Sequence, residues 1–228
     1  MELIIILVAI ATIVVLQTMM KINVKELENL ALNLELNEII KKCPNDDEIC
    51  KNILNKLGNK KTQIEIDKNS ESTLYIAIGD KISIGNTHES FSRIQTMAHE
   101  CLHSIQDRKM LIFNFIYSNI YLLYFGVICI LVIMKKLPFE MIFSNILLIL
   151  SFVYYVVRIF LENDAMIKAE YVAKEYLEEE KKLSTEEIKK VCEGFRQIND
   201  KCIKGTNYSL FVKIMIKVVI FNVLALIF

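Results

Sequence analysis

Residues 111–134 read LIFNFIYSNIYLLYFGVICILVIM, a run in which no side chain is charged. Because the hydrocarbon core of a bilayer is about 30 Å thick, a helix needs about 20 apolar residues to cross it. A second apolar stretch, Leu137 to Arg158, follows after Lys135 and Lys136. The two stretches predict a pair of transmembrane helices joined by a short loop, over residues 110–160.

The beginning of the chain contains another apolar stretch, from Leu3 to Met20. It follows Glu2 instead of a basic segment, and no small-x-small cleavage site precedes Lys21, so it lacks two features of a secretory signal peptide. We therefore interpret residues 1–20 as a retained transmembrane anchor.

The last apolar stretch, residues 208–228, carries two lysines. Lys213 and Lys217 are four residues apart and share one face of a helix, where they can extend towards the membrane surface or line a polar groove. The stretch has two interpretations, a fourth transmembrane helix or an amphipathic helix on the membrane surface. We expect the first, which makes the chain a mostly α-helical integral membrane protein with about four transmembrane helices.

The composition excludes several classes of protein. Of the 228 residues, 54% are hydrophobic, which is too many for a disordered or collagen-like chain. The 27 basic and 27 acidic residues balance, so the chain lacks the basic surplus that nucleic-acid binding requires. We therefore expect the lipid bilayer as a partner and no nucleic acid. The sequence leaves the oligomeric state open.

Two polar segments, 21–109 and 161–207, separate the apolar stretches and lie on one side of a membrane that is crossed four times. We expect them to build one small extramembrane α+β domain. The first segment has helical periodicity up to Gly58, with a break at Pro44, and a period of two from Thr62 onward.

The period of two continues on both sides of Gly79-Asp80, which predicts a β-hairpin. A helix capped near Asn86 or Thr87 should follow and run through Phe91 towards the second apolar stretch.

Residues 99–103, His-Glu-Cys-Leu-His, lie on this predicted helix. Residues four apart share a helical face, so the imidazoles of His99 and His103 can point at one zinc ion. Glu100 then lies close enough to bind the water that the metal activates. The alternative is two surface histidines on a polar helix face. Cys101 points away from both histidines, and we expect it to pack in the core.

A catalytic zinc ion needs a third protein ligand and an open position for water. His88, the remaining histidine, lies near the predicted helix start, and we expect it to be a capping or surface residue. Glu162 is the better candidate, because it lies on the same side of the membrane as His99. Asp164 is the alternative ligand, or else a carboxylate that hydrogen-bonds a ligating imidazole. Both acids could also be ordinary solvated residues at a helix start.

The order of these features resembles the YugP-like membrane zinc metallopeptidases: anchor, polar segment, His-Glu-x-x-His, two spans, Glu-x-x-Ala and a C-terminal span. More distantly, it is similar to the gluzincin membrane proteases typified by HtpX and to the CAAX prenyl proteases. The resemblance covers nearly the whole chain. The family's His-Glu-x-x-His-x-x-Gln and Glu-x-x-Ala motifs are matched by His99, Glu100, His103, Gln106, Glu162 and Ala165.

The resemblance implies a zincin-like domain with one Zn²⁺ ion per chain, bound by His99, His103 and Glu162, with Glu100 as the catalytic base. The chain departs from the family at Leu102, where a small glycine is usual. The implied function is a zinc-dependent integral membrane endopeptidase that hydrolyses peptide bonds. The alternative, from a different class, is a non-catalytic metal-binding membrane scaffold or adaptor.

The position of the motif bears on the substrate. If its helix continued straight to Leu111, a rise of 1.5 Å per residue would place the site about 12 Å from the membrane. We therefore expect membrane-associated or juxtamembrane polypeptides as substrates. More Lys and Arg residues flank the span ends on the side of the polar segments than in the opposite loop, which contains Lys135 and Lys136. Because basic residues are enriched on the cytoplasmic side of membrane proteins, we expect a multi-pass protein of the cell membrane with a cytoplasmic active site.

Residues outside the motif give further expectations. Tyr171, Arg196 and Tyr208 are candidates for the donor that stabilises an oxyanion, each with a structural role as the alternative. The strand Lys81–Gly85 either offers an edge to an extended peptide or pairs within the sheet.

The cysteines are expected to be reduced thiols. In an oxidising compartment, the plausible disulfides would join Cys43 to Cys50 and Cys192 to Cys202.

Overall fold

The computed structural model describes residues 2–86 and 90–228. Thr87 and His88, for which the sequence predicts capping or surface roles, lie outside the described residues. In chain order the elements are α1 (Glu2–Met20), α2 (Val24–Ala31), α3 (Leu34–Ile40), α4 (Asp46–Lys56), β1 (Gln63–Ile66), β2 (Leu74–Ile76), β3 (Lys81–Ile84), α5 (Arg93–His103), α6 (Arg108–Ile133), α7 (Glu140–Glu180) and α8 (Thr185–Ile227).

The chain forms two compact units. We call the one made of Met1–Ile22, Phe113–Phe160 and Lys204–Phe228 the membrane unit. We call the other, made of Asn23–Ile112 and Leu161–Ile203, the polar unit.

Four helices, α1, α6, α7 and α8, are long and apolar enough to cross a membrane, as the sequence predicts. Two of them extend far beyond the predicted spans, because α7 continues to Glu180 and α8 already begins at Thr185. The sequence predicts that the third span ends at Arg158 and that a polar segment begins at residue 161. The structure instead has one continuous helix, and no glycine or proline between Arg158 and Glu180 interrupts it.

The membrane unit has an apolar interior. Tyr121 on α6, Leu147 on α7 and Phe221 on α8 are buried together. The helix α1 contributes Ala9, which is buried with Ile214 of α8. This unit therefore has packed helix contacts of its own, in addition to apolar surface that a bilayer can cover.

The polar unit contains a three-stranded sheet in the order β1-β3-β2. The strands β2 and β3 are antiparallel, with Tyr75 opposite Ile82, so the predicted hairpin is confirmed. The strand β1 adds to the other side of β3 and runs parallel to it. Of the two interpretations of Lys81–Gly85, pairing within the sheet is therefore confirmed, and an edge for a peptide is wrong. Because Ile82 and Ile84 are almost fully buried, this strand takes the central position.

The helix of the motif is shorter than predicted at both ends. It begins at Arg93, so Asn86 does not cap it, and Phe91 precedes it. The backbone N–H of Phe91 donates to Asn37 Oδ1 (2.7 Å), and its ring stacks on that of Phe195 (6.1 Å between centroids). These contacts bury Phe91 without a helical backbone.

After His103 the helix stops, and α6 begins only at Arg108. In this break, Ser104 donates to the Cys101 carbonyl (2.6 Å), and Asn59 donates to Ser104 Oγ (2.9 Å). Such side-chain hydrogen bonds compete with the next helical turn. The prediction of a straight helix into the second span is therefore wrong, and the distance of about 12 Å calculated from it no longer applies.

Candidate metal centre

The helix α5 is oriented by its apolar face. Ile94, Met97 and Cys101 have no exposed surface and belong to the core of the polar unit. Cys101 therefore packs as expected. Because residues two positions from Cys101 point elsewhere on a helix, His99 and His103 lie together on a different face, with their ring centroids 4.5 Å apart.

Glu162 on α7 completes a group with these two histidines. The Nε2 atoms of His99 and His103 are 3.0 Å apart. Glu162 Oε2 lies 3.4 Å from His99 Nε2 and 3.6 Å from His103 Nε2. The structure thus brings together the three residues that the sequence proposes as ligands, and this group could hold a metal ion.

The distances within the group fit a tetrahedral ion. With bonds of about 2.0–2.2 Å, such an ion separates its ligand atoms by about 3.3–3.6 Å. The three separations, 3.0, 3.4 and 3.6 Å, are close to this range. Two imidazole nitrogens and one carboxylate oxygen form a set that suits zinc and leaves a fourth position for water.

Gln106 orients one of the histidines. Its Oε1 atom lies 2.8 Å from His103 Nδ1, while its amide nitrogen donates to the carbonyl of Leu161 (2.8 Å) and to Asp164 Oδ2 (3.2 Å). Asp164 also pairs with Lys168. Asp164 is therefore outside the group of possible ligands, and it acts on the imidazole through Gln106 instead of directly. The other nitrogen of His103, Nε2, which faces His99 and Glu162, is the one that would bind a metal.

Glu100 is buried beside the two histidines. The backbone N–H of Tyr75, on the edge strand β2, donates to Glu100 Oε2 (2.6 Å), and Glu100 Oε1 lies 3.8 Å from His99 Nε2. Burial raises the pKa of the Glu100 carboxyl, although the nearby histidines and the Tyr75 N–H act in the opposite direction. The carboxyl is thereby a better proton acceptor than an exposed glutamate.

The electrostatics of the group favour a cation. Burial lowers the pKa of His103, but its hydrogen bond to Glu162 and the negative charges of Glu162 and Glu100 outweigh burial, and the pKa is raised overall. The same negative charges would attract a metal ion, which would displace this proton when it binds the imidazole.

The sequence did not predict two contacts of the site. The first is the hydrogen bond between His103 and Gln106. Gln106 lies three residues after His103, and a glutamine at this spacing is part of the family motif quoted above. The bond from Tyr75 to Glu100 uses a backbone N–H, so the sequence carries no side-chain signal for it.

The candidates for an oxyanion donor lie elsewhere. Tyr171 and Arg196 line a separate cavity of the polar unit, whose described lining contains none of His99, Glu100 and His103. Tyr208 belongs to the membrane unit and donates to Gln17 Oε1 (3.4 Å).

The six cysteines are free thiols. Cys50 Sγ lies 3.6 Å from Cys101 Sγ, and the Cys101 thiol donates to the Cys50 carbonyl. The close cysteine pair is thus Cys50 with Cys101, and neither pairing considered from the sequence, Cys43 with Cys50 or Cys192 with Cys202, is a disulfide in this structure.

Comparisons with protein-family models, curated proteins and solved structures find no match to this chain.

Proposed function

We propose that the protein is a zinc-dependent membrane endopeptidase with His99, His103 and Glu162 as the zinc ligands. The observation that carries the proposal is the triangle of donor atoms, with separations of 3.0–3.6 Å, beside the buried carboxylate of Glu100. A structural zinc site has four protein ligands and needs no additional carboxylate. The resemblance to the YugP-like metallopeptidases points to the same four residues.

Each residue has a defined part in the proposed reaction. Bound zinc supplies Lewis acidity, which polarises the scissile carbonyl and lowers the pKa of water towards neutrality. Glu100 takes the proton of the attacking water at Oε1 and later passes it to the leaving amine. The Tyr75 N–H holds Oε2 of the same carboxylate, so the side chain keeps one orientation during both transfers.

The substrates in this proposal are membrane-associated or juxtamembrane polypeptides. The supporting observation is that the chain carries four helices able to cross a bilayer, which would confine its activity to a membrane surface. The polar segments carry several Lys and Arg residues near the ends of the apolar stretches, such as Arg108 and Arg158, whereas the opposite loop carries Lys135 and Lys136. This basic surplus favours a cytoplasmic active site.

The first test is metal analysis of the detergent-purified protein. We expect about one zinc ion per chain in the wild type and in Glu100→Gln, because Glu100 is not a ligand. The exposed Glu178→Gln is the matched control for the loss of one carboxylate.

The second test is cleavage of a fluorogenic peptide library, offered as soluble peptides and as the same peptides linked to a lipid anchor. We expect the wild type and Glu178→Gln to cleave the anchored peptides faster, and Glu100→Gln to be inactive. Equal cleavage of both forms would refute membrane-associated substrates. Bound zinc without any cleavage by the wild type would support the metal-binding scaffold instead, and absence of zinc would refute both.

A further inference from the structure

Lys217 of α8 is half-buried and holds its charge against aromatic rings of the membrane unit. Its Nζ atom lies 4.4 Å from the centroid of the Tyr121 ring and 5.9 Å from that of Tyr154. Tyr121 is only 1% exposed, stacks on Tyr154, and shares a hydrogen bond with Ser151 (2.8 Å). The ammonium group is therefore held against aromatic faces and is not extended along the lipid.

This cation has no acidic neighbour within its own unit. The acidic residues in the described part of the membrane unit are Glu2 and Glu140, which are the first residues of α1 and α7. The face of a tyrosine ring attracts a cation, but it replaces only part of the hydration that a lysine loses inside a membrane. An external anion near Lys217 would therefore be strongly favoured.

The depth of Lys217 selects the kind of anion. It lies nine residues beyond residue 208, where the apolar stretch begins, which corresponds to about 14 Å along the helix. This is near the middle of a hydrocarbon core of about 30 Å. Lipid phosphates lie outside that core, whereas the side chain of a transmembrane helix can occupy any depth within it.

The surface beside Lys217 is suitable for such a helix. Along α8, exposed residues recur every three or four positions: Ser209, Lys213, Ile216, Ile220, Val223 and Ile227. This is the spacing of one helical face, and the described residues leave it uncovered. Lys217 is half-buried at the margin of this face, and Lys213 adds a second positive charge one turn away.

We propose that this face of α8 binds a transmembrane helix of a different polypeptide, and that an Asp or Glu near the middle of that helix pairs with Lys217 and Lys213. A second copy of this chain does not fit, because its spans contain no acidic residue away from the helix starts. The inference goes beyond the proposed peptidase and does not depend on it, since none of these residues belongs to the metal group.

The test uses the full-length protein in phosphatidylcholine vesicles and a labelled Leu/Ala-rich transmembrane peptide with one central Asp. Energy transfer from the labelled protein measures association. We expect the Asp peptide to bind about tenfold more tightly than the same peptide with Asn, as found for polar contacts between membrane helices. Lys217→Gln should remove this difference, and Lys217→Arg should keep it.

Lys136→Gln, which also removes one lysine from the membrane unit, is the matched control and should bind like the wild type. Helical circular dichroism and an unchanged gel-filtration profile show that each variant is folded. Equal binding of the Asp and Asn peptides to the wild type would overturn the proposal. So would an unchanged preference in the double variant Lys213→Gln/Lys217→Gln, or displacement of the peptide by phosphatidylglycerol, which would identify a lipid as the occupant.

Discussion

His103 Nδ1 donates to Gln106 Oε1 across 2.8 Å. The amide nitrogen of Gln106 is committed to the Leu161 carbonyl, so the oxygen of the same amide must be the acceptor. The bond therefore places the proton of the neutral imidazole on Nδ1, which makes Nε2 the atom that would bind a metal. Through this single side chain, α5 is also tied to α7 at the residue before Glu162.

Gln106→Ala is expected to weaken zinc binding without removing a ligand. Loss of the partner of a ligating histidine typically costs about 10–100-fold in metal affinity. Gln106→Glu should lose less, because a carboxylate still accepts from His103. Competition with a chromogenic chelator measures the dissociation constants, and Gln197→Ala, on α8, is the control. Equal affinities in all four proteins would contradict the orienting role.

Glu162→Gln is expected to release the zinc ion, whereas Asp164→Asn should retain it. Glu162 contributes an oxygen to the donor triangle, but Asp164 contacts only Gln106 and Lys168 among the interactions described above. Metal analysis after gel filtration separates the two variants. Zinc retained in Glu162→Gln and lost in Asp164→Asn would show that Asp164 is the ligand and that Glu162 is not.

Asp46→Ala is expected to destabilise the polar unit strongly. Asp46 Oδ1 lies 2.6 Å from the Arg93 guanidinium, and both side chains are buried. Without Asp46, the Arg93 guanidinium would keep its hydrogen bonds to the carbonyls of Ile40, Cys43 and Pro44 but lose its counter-charge, at a cost of about 3–5 kcal/mol.

Denaturation in detergent measures the free energy of unfolding. The exposed pair of Lys41 and Glu38 provides the control, because Glu38→Ala should cost less than about 1 kcal/mol. Similar losses in both variants would show that the Arg93 pair is not buried in solution.

Two glycines of α8 are expected to respond oppositely to alanine. A Cβ atom on Gly194 would lie 2.5 Å from Leu36 Cδ1 and 2.9 Å from the Phe91 ring, so overpacking should cost about 1–3 kcal/mol. Gly205 has nothing within 4 Å of the same position, and Gly205→Ala should be neutral or stabilising by up to about 1 kcal/mol. Thermal unfolding of both variants tests the pair, and a stable Gly194→Ala would mean that α3 does not pack there.

Local patterns predicted much of this structure. Long apolar runs predicted the four long helices, and alternation around Gly79-Asp80 predicted the hairpin. The spacing of His99 and His103 predicted a shared face, since it depends only on helical geometry. Glu162 was also identified, because it follows a span whose end is visible in the sequence.

Contacts between distant segments explain what the sequence did not predict. The strand β1 pairs with β3 instead of leaving it at an edge, and this choice depends on tertiary burial of Ile82 and Ile84. The break after His103 depends on Asn59, which is far away in the sequence. Phe91 looks helical by spacing, but its place is set by Asn37 and Phe195.

The proposed ligand set is split along the chain, and this would affect how the protein acquires its metal. A ribosome completes His99 and His103 long before Glu162, and residues 113–160, which contain two apolar stretches, are synthesised in between. A nascent chain that stops short of Glu162 offers only two ligands and should hold zinc weakly. Metal capture would then come after synthesis of the second and third spans, so that bound zinc marks chains whose translation has passed that stage.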